Sequence, residues 1–492
     1  MIAYKYITLV LILIFLTSCT STISLSTPEV TRSIMVRPTN IVTPTQSGPT
    51  QPTALINERL NAVVSSYRDL GNYPFTEKQL ANLRQSVELV QISDKKMQLT
   101  RSYWLISETK LTELQEPELA EMLGYIPLAY SEDGFNWKAS GLKDTTDLPL
   151  GAQFDQLENG SAEVIGANFD TAVVTSEWGS TMFGGKSIFD FITINQDGSV
   201  ILNPDKLGWG GNEDYQMSEA LKFVKGSTKD IDKSGRGRRI YLSHLIYPGH
   251  SPVDFNKLTR DQAISVIQQY ITAIVDKYKN KVFAYSVVNE FGQNDDLWKI
   301  IGPDYIDIAF KAVRDADPTA LTILNIQENE VNRGEVRIEG RTIAEETRLI
   351  AERLKSKGLI DFVGAECHIE LFPLSPHDET LEEIKNTFSS YPVPVIITEL
   401  DVNMQEYANK PDAYLIQAQK LKTLLQAASD SGSVKMINLW GDFPDDKSFP
   451  TVIIGDQNAN PGPWAASWKE KPFFFEMSAS LFKNYVASNF SQ

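Results

Sequence analysis

Cysteine and histidine are scarce: the 492-residue chain holds two cysteines, Cys19 and Cys367, and four histidines. So few thiols exclude a disulfide framework and a cysteine-rich metal site. Three motifs are also missing: the GxxxxGK[ST] phosphate loop, the paired histidines of HExxH and the serine elbow GxSxG. Chemistries built on them have no anchor here. Positive charge falls short, with 46 Lys+Arg against 63 Asp+Glu and a formal net charge of -17. That balance opposes attraction to a phosphate backbone, so nucleic acid is not expected as a partner. Material for a core is plentiful at 42% hydrophobic residues. The length exceeds what one core usually holds and points to a large domain with extensions.

The N-terminus reads as an address. Lys5 precedes the apolar run Ile7 to Leu16, which is too short to span a bilayer comfortably, and "LTSC" follows at once. This order resembles a bacterial lipoprotein signal over residues 1–19, with Cys19 as the acylated residue. The expected location is the bacterial cell surface, anchored to the membrane by lipid; an ordinary signal peptide would instead release the protein. Residues 20–53 are rich in Ser, Thr and Pro without apolar periodicity and read as a disordered tether.

Residues 54–147 form a folded N-terminal extension. "LINERLNAVVSSYRDLG" and "EKQLANLRQSVELVQI" have helical spacing, and "EDGFNWKASG" reads as a turn or hairpin. Packing against the following domain and a small carbohydrate-binding module are both open roles.

Residues 148–492 are regular. β-rich runs begin at Leu148, Phe169, Arg238, Val282, Ala320, Ile360, Val393 and Val434, with amphipathic helical segments between many of them. Eight such units with doubly apolar strands predict an α/β fold, a (β/α)8 TIM barrel. The passage from Glu177 to Gly237 reads as a large loop with one helix around "QMSEALKFV".

Side chains at the carboxyl ends of barrel strands converge on one mouth. "YSVVNEFG" brings Glu290 to the end of the fourth run and "VIITELDV" brings Glu399 to the end of the seventh. His368 ends the sixth run and Trp440 the eighth. A lone glutamate after an apolar strand is more often a loop residue or helix cap. Two facing each other suit glycosidic bond cleavage, in which one protonates the leaving oxygen and the other attacks or stabilises the cationic sugar carbon.

"SVVNE", "IITELDV", "IGPDYIDIAFKAVRDADP", "IDFVGAECHIE" and "NLWG" resemble glycoside hydrolase family 10, the retaining endo-beta-1,4-xylanases. The resemblance runs from about Leu148 to near the C-terminus. It implies Glu290 as general acid/base, Glu399 as nucleophile, and Asn289 on the sugar 2-hydroxyl. His368 would orient Glu399, with Asp401 behind it. Trp440 would stack on a pyranose, Phe449 would stand where the family often has another tryptophan, and Glu177 would bind a sugar. No cofactor and no metal are implied, the substrate is a polysaccharide, and the chain is expected to act as a monomer. A different beta-glycan, or a glycan-binding lipoprotein without turnover, stays open as an alternative.

Departures from the family pattern lie close to the site. Trp178 and Thr181 occupy the places of a sugar-binding asparagine and lysine. "SHLIYPGHSP" offers His244 and His250 at a shifted spacing, leaving open which lines the pocket. Glu366 replaces a glutamine two residues before His368. An added carboxylate beside Glu399 favours a proton on one member of the cluster. Glu366→Gln should therefore move the pH optimum or the glycan preference; a variant unchanged in both would refute this role for Glu366.

Overall fold

The computed structural model describes residues 52–94, 99–106, 126–131, 136–153, 161–175, 178–208, 212–225, 237–292, 295–327, 336–338, 340–370, 381–404, 410–441, 463–465 and 469–490. Cys19, the signal segment, all but the end of the tether, Glu177 and Phe449 lie outside them. No helix of the described residues is long and apolar enough to cross a membrane.

Eight parallel strands close into a barrel. In order they are Leu150–Gln153, Thr171–Thr175, Arg239–Ser243, Ala284–Asn289, Leu321–Gln327, Phe362–Glu366, Val395–Asn403 and Val434–Leu439. Each pairs with the next. The eighth returns to the first through Ile437↔Leu150. The eight-strand expectation holds, and each strand begins within one of the apolar runs; strand seven continues four residues past Glu399, to Asn403.

Strands four and seven are buried along their whole length, as a barrel wall between lumen and helices requires. Val173, Tyr241, Ala284, Ile323, Ile396 and Met436, from six strands, form the inner cluster. Side chains on the opposite faces join the larger outer core with the helices. Helices begin where the sequence supplies caps. Thr259 forms a capping box with Gln262 at the start of Arg260–Tyr278, and Thr342 does so with Glu345 at the start of Ile343–Ser356. Gly358, at φ 67°, follows the second of these helices in the left-handed conformation that suits glycine.

Two readings need correction. "EKQLANLRQSVELVQI" is helical only over Glu77–Gln85, behind the Thr76–Gln79 capping box. From Val87 to Asp94 it is a strand paired antiparallel with Leu99–Ile106. The two-residue alternation in "VELVQI" and this neighbouring strand override the helical spacing. The passage after strand two is also more structured than a loop with one helix. It holds a π-helical turn at Trp178–Met182, a hairpin of Ile192–Ile194 with Val200–Leu202, and helix Asn212–Lys225.

The extension shares the barrel's outer core. Helix Thr53–Ser65 buries Ile56, Leu60 and Val63, one helical face at i, i+4 and i+7, within the same cluster as Leu150 and Phe474. Arg59 on this helix makes two hydrogen bonds to the Glu470 carboxylate, at 3.0 and 2.9 Å, beside the Phe475 ring. Such a forked, largely buried pair is stronger than a surface ion pair. Arg59→Ala should lower the unfolding free energy by about 1–2 kcal/mol with an unchanged circular dichroism spectrum. A denaturation midpoint equal to wild type would show that the latch adds nothing.

Candidate active site

The third strand ends at Ser243, and His244 follows at φ 66°; the fourth ends at Asn289, and Glu290 follows at φ 44°. A non-glycine residue in the left-handed region is strained, and such strain persists where the surroundings over-determine it. Both turns direct a functional side chain over the barrel mouth. Strand seven reaches the site differently. Its pairing with strand eight slips between Ile397 and Leu400, and next to that irregularity the neighbouring Thr398 and Glu399 both reach one amide.

That amide is Asn325 on strand five. Its Nδ2 lies 2.6 Å from Asn289 Oδ1, 2.6 Å from Glu366 Oε1 and 2.9 Å from Glu399 Oε1, while its Oδ1 accepts from the Thr398 hydroxyl. Gly364 on strand six makes room: a Cβ there would stand 2.4 Å from Asn325 Oδ1. Two amide hydrogens face three oxygens, so the cluster is crowded with acceptors.

Glu399 is buried and gripped from two sides. His244 Nε2 is 2.8 Å from its Oε1 and His368 Nε2 is 3.5 Å from its Oε2. Burial opposes its charge, but the charge and hydrogen bond of His244, then those of His368, outweigh that and hold its pKa at about 2. His368 in turn places Nδ1 2.7 Å from Asp401 Oδ2. Burial lowers the His368 pKa, yet Asp401 first and Glu399 second lift it well above the ordinary imidazole value.

Glu290 has different company: the Tyr247 hydroxyl donates to its Oε2 at 2.9 Å and Asn289 Nδ2 approaches its Oε1 at 3.5 Å. Trp440 is partly buried, with its ring 5.7 Å from that of His244 and 6.5 Å from that of His368. Glu290, Glu399, Asn289, His368, Asp401, Glu366, His244 and Trp440 thus come together.

Trp178 does not join them. It has no exposed surface, packs against Phe183, Phe255 and Tyr270, and donates Nε1–H to the Tyr247 carbonyl at 2.9 Å. It is a scaffold residue with no face for a sugar. His250 is exposed and stacks on Tyr247 at 4.3 Å, one ring away from the carboxylates. The sequence reading missed Asn325, Thr398, Gly364 and Tyr247. Asn325 did carry a signal, as a lone amide within the apolar run "ALTILNI".

His244, Glu366 and Glu399 bring atoms able to bind a metal within 4.8 Å of one another. The 2.8 Å between His244 Nε2 and Glu399 Oε1 is a hydrogen-bond length. It is shorter than the separation of two ligands around a tetrahedral ion with bonds of about 2.0–2.2 Å. The geometry shares protons.

Fold and site together define a parallel barrel that places an ionised carboxylate and a second carboxyl at one rim. Residues 243–480, just under half of the chain, match the family model described as Glycosyl hydrolase family 10. The chain is 32% identical over 277 residues to endo-1,4-beta-xylanase A of Thermotoga neapolitana, covering 50% of this chain and 25% of that protein. It is 33% identical over 234 residues to endo-1,4-beta-xylanase A of Thermotoga maritima, covering 43% and 21%. The chain therefore spans about a quarter of the length of these relatives. An intracellular xylanase from Thermoanaerobacterium saccharolyticum shares the fold at TM-score 0.51 and 20% identity, over 69% of this chain and 98% of that one.

Linkage fixes the sign of a pH effect. Glu399 has a depressed folded pKa, so its stabilisation is complete above the ordinary value of 4.5 and is lost as pH falls towards about 2. His244→Asn should raise the Glu399 pKa in a carbon-13 titration, because burial is then less opposed. The stability gap between wild type and variant should narrow from pH 6 to pH 2, and a Glu399 still titrating near 2 in the variant would refute the assignment.

Proposed function

We propose that this chain is a retaining endo-acting glycoside hydrolase that cleaves beta-1,4-xylosidic bonds in xylan. The observation that carries this reading is the asymmetry of the two glutamates. Glu399 is ionised between two imidazoles, as a nucleophile must be, whereas among the described residues Glu290 meets only an uncharged hydroxyl and an uncharged amide.

In the first step Glu399 attacks the anomeric carbon while Glu290 gives its proton to the departing glycosidic oxygen. A glycosyl ester forms on Glu399 and the leaving sugar departs as an alcohol. In the second step Glu290, now a carboxylate, takes a proton from water, whose oxygen attacks the same carbon and frees Glu399. Two inversions retain the configuration. Asn289, held by Asn325, would bind the sugar 2-hydroxyl, a contact that strengthens towards the oxocarbenium-like transition state. Trp440 would supply an apolar face for the ring.

The similarity to the two Thermotoga proteins named endo-1,4-beta-xylanase supports xylan. Glu366 in place of the family's glutamine favours a different beta-glycan as the second reading. The sequence of the first 53 residues supports an exported protein held at the bacterial surface through Cys19.

Reducing-end release from xylan, mixed-linkage glucan, mannan and cellulose tests this reading. Xylan should be cleaved, Glu290→Ala should lose about 10²–10⁴-fold, and Glu399→Ala should show no turnover. NMR should find the β-anomer first. Glycan binding without turnover at any pH would overturn the proposal.

A further inference from the structure

Glu290 sits on a strained backbone one residue beyond its strand, its N–H still bonded to the Asn325 carbonyl of strand five at 3.0 Å, so the direction of its side chain rests on what its carboxyl meets. Its strongest contact is the Tyr247 hydroxyl, 2.9 Å from Oε2; the Asn289 amide reaches Oε1 only at 3.5 Å. Tyr247 is itself secured on three sides. The chain leading to it continues the ladder beside strand four. Leu245 N–H donates to Ser286 O at 2.9 Å, Ile246 N–H to Val287 O at 3.1 Å, and Asn289 N–H returns to Ile246 O at 2.8 Å. The buried Trp178 indole holds the Tyr247 carbonyl, and the His250 ring stacks on its phenol. Gly179, next to Trp178, lets this support close up, since a Cβ there would lie 1.5 Å from the His250 carbonyl oxygen.

The tyrosine that holds the acid is therefore laddered by main-chain hydrogen bonds to the strand that carries the acid. Burial first, then the neighbouring Glu290, raises the Tyr247 pKa, so the phenol stays protonated and remains a donor.

We propose that Tyr247 is the positioning residue of the proton donor: it occupies Glu290 Oε2 and so reserves Oε1 for the proton delivered to the leaving sugar oxygen. The proposal rests on Glu290 being the acid/base. During glycosylation the Oε1–H bond breaks as the proton passes to the glycosidic oxygen, and Tyr247 keeps its own proton throughout. The hydroxyl then stabilises the carboxylate that must act as base in the second step.

Leaving-group dependence separates this role from a structural one. A sugar leaving group needs a proton, whereas 2,4-dinitrophenolate departs without one. Tyr247→Phe retains the stacked ring and the carbonyl bonded to Trp178. It should lower kcat/KM by about 10–100-fold on a xylo-oligosaccharide and by less than about threefold on 2,4-dinitrophenyl β-xylobioside. Glu290→Ala is the control and should show the same split more steeply. If Glu290→Ala shows the split and Tyr247→Phe loses both substrates equally, or neither, the Tyr247 proposal is overturned while the assignment of Glu290 stands. If Glu290→Ala loses both substrates equally, the acid/base assignment fails and the role of Tyr247 fails with it.

Discussion

A single side-chain amide joins four barrel strands at the point where the chemistry is concentrated. Asn325, on strand five, meets Asn289 at the end of strand four, Glu366 at the end of strand six, and Thr398 and Glu399 on strand seven. A barrel holds its strands by main-chain hydrogen bonds, which fix heights and tilts but leave side chains free to rotate. Asn325 removes that freedom for Glu399, Asn289 and Glu366 together. It fits because Gly364 offers no side chain at the one place where a methyl group would collide with it. Catalytic groups need placement to a fraction of an ångström, and a buried, fully engaged amide supplies it.

Around this centre the two glutamates experience different fields. Imidazoles surround Glu399, and an acidic partner, Asp401, in turn charges the nearer-surface imidazole, His368. Glu290 is approached by neutral donors alone among the described residues. Two identical side chains thereby stand in different surroundings, one between imidazoles and one beside neutral donors. The backbone contributes as well. His244 and Glu290 both hold positive φ without the Asn or Asp identity that makes such turns easy at Asn72, Asp254 and Asn280. Local stability is given up at the two positions where direction matters most.

The barrel was legible because its signal is repeated: eight apolar runs separated by capped amphipathic helices leave few alternative folds. Glu290 and His368 were legible because barrel geometry converts the end of a strand into an address at the mouth, and Glu399 because its apolar run stops there although its strand continues to Asn403. What escaped was lateral. Tyr247 lies in a loop whose spacing is displaced from the family pattern, so nothing local marks its hydroxyl as a partner of Glu290. Trp178 sits just after a strand end, in the place of a sugar-binding asparagine, yet it is buried away from the mouth. The π-helical turn and the aromatic cluster that swallow it depend on Phe255 and Tyr270, distant in sequence. Pattern reading orders residues along strands well and pairs them across loops badly.

The bond between Arg59 and Glu470 spans 411 positions of sequence. During synthesis the first helix leaves the ribosome long before its partner exists, with Ile56, Leu60 and Val63 uncovered. Strand one likewise waits for strand eight before the ring can close. Contacts of such long range are slow to form and leave apolar surface open in the interval. The architecture that holds the mouth rigid in the finished protein thus makes its assembly dependent on the arrival of strand eight and the Glu470 segment, and on whatever shields the early helix until then.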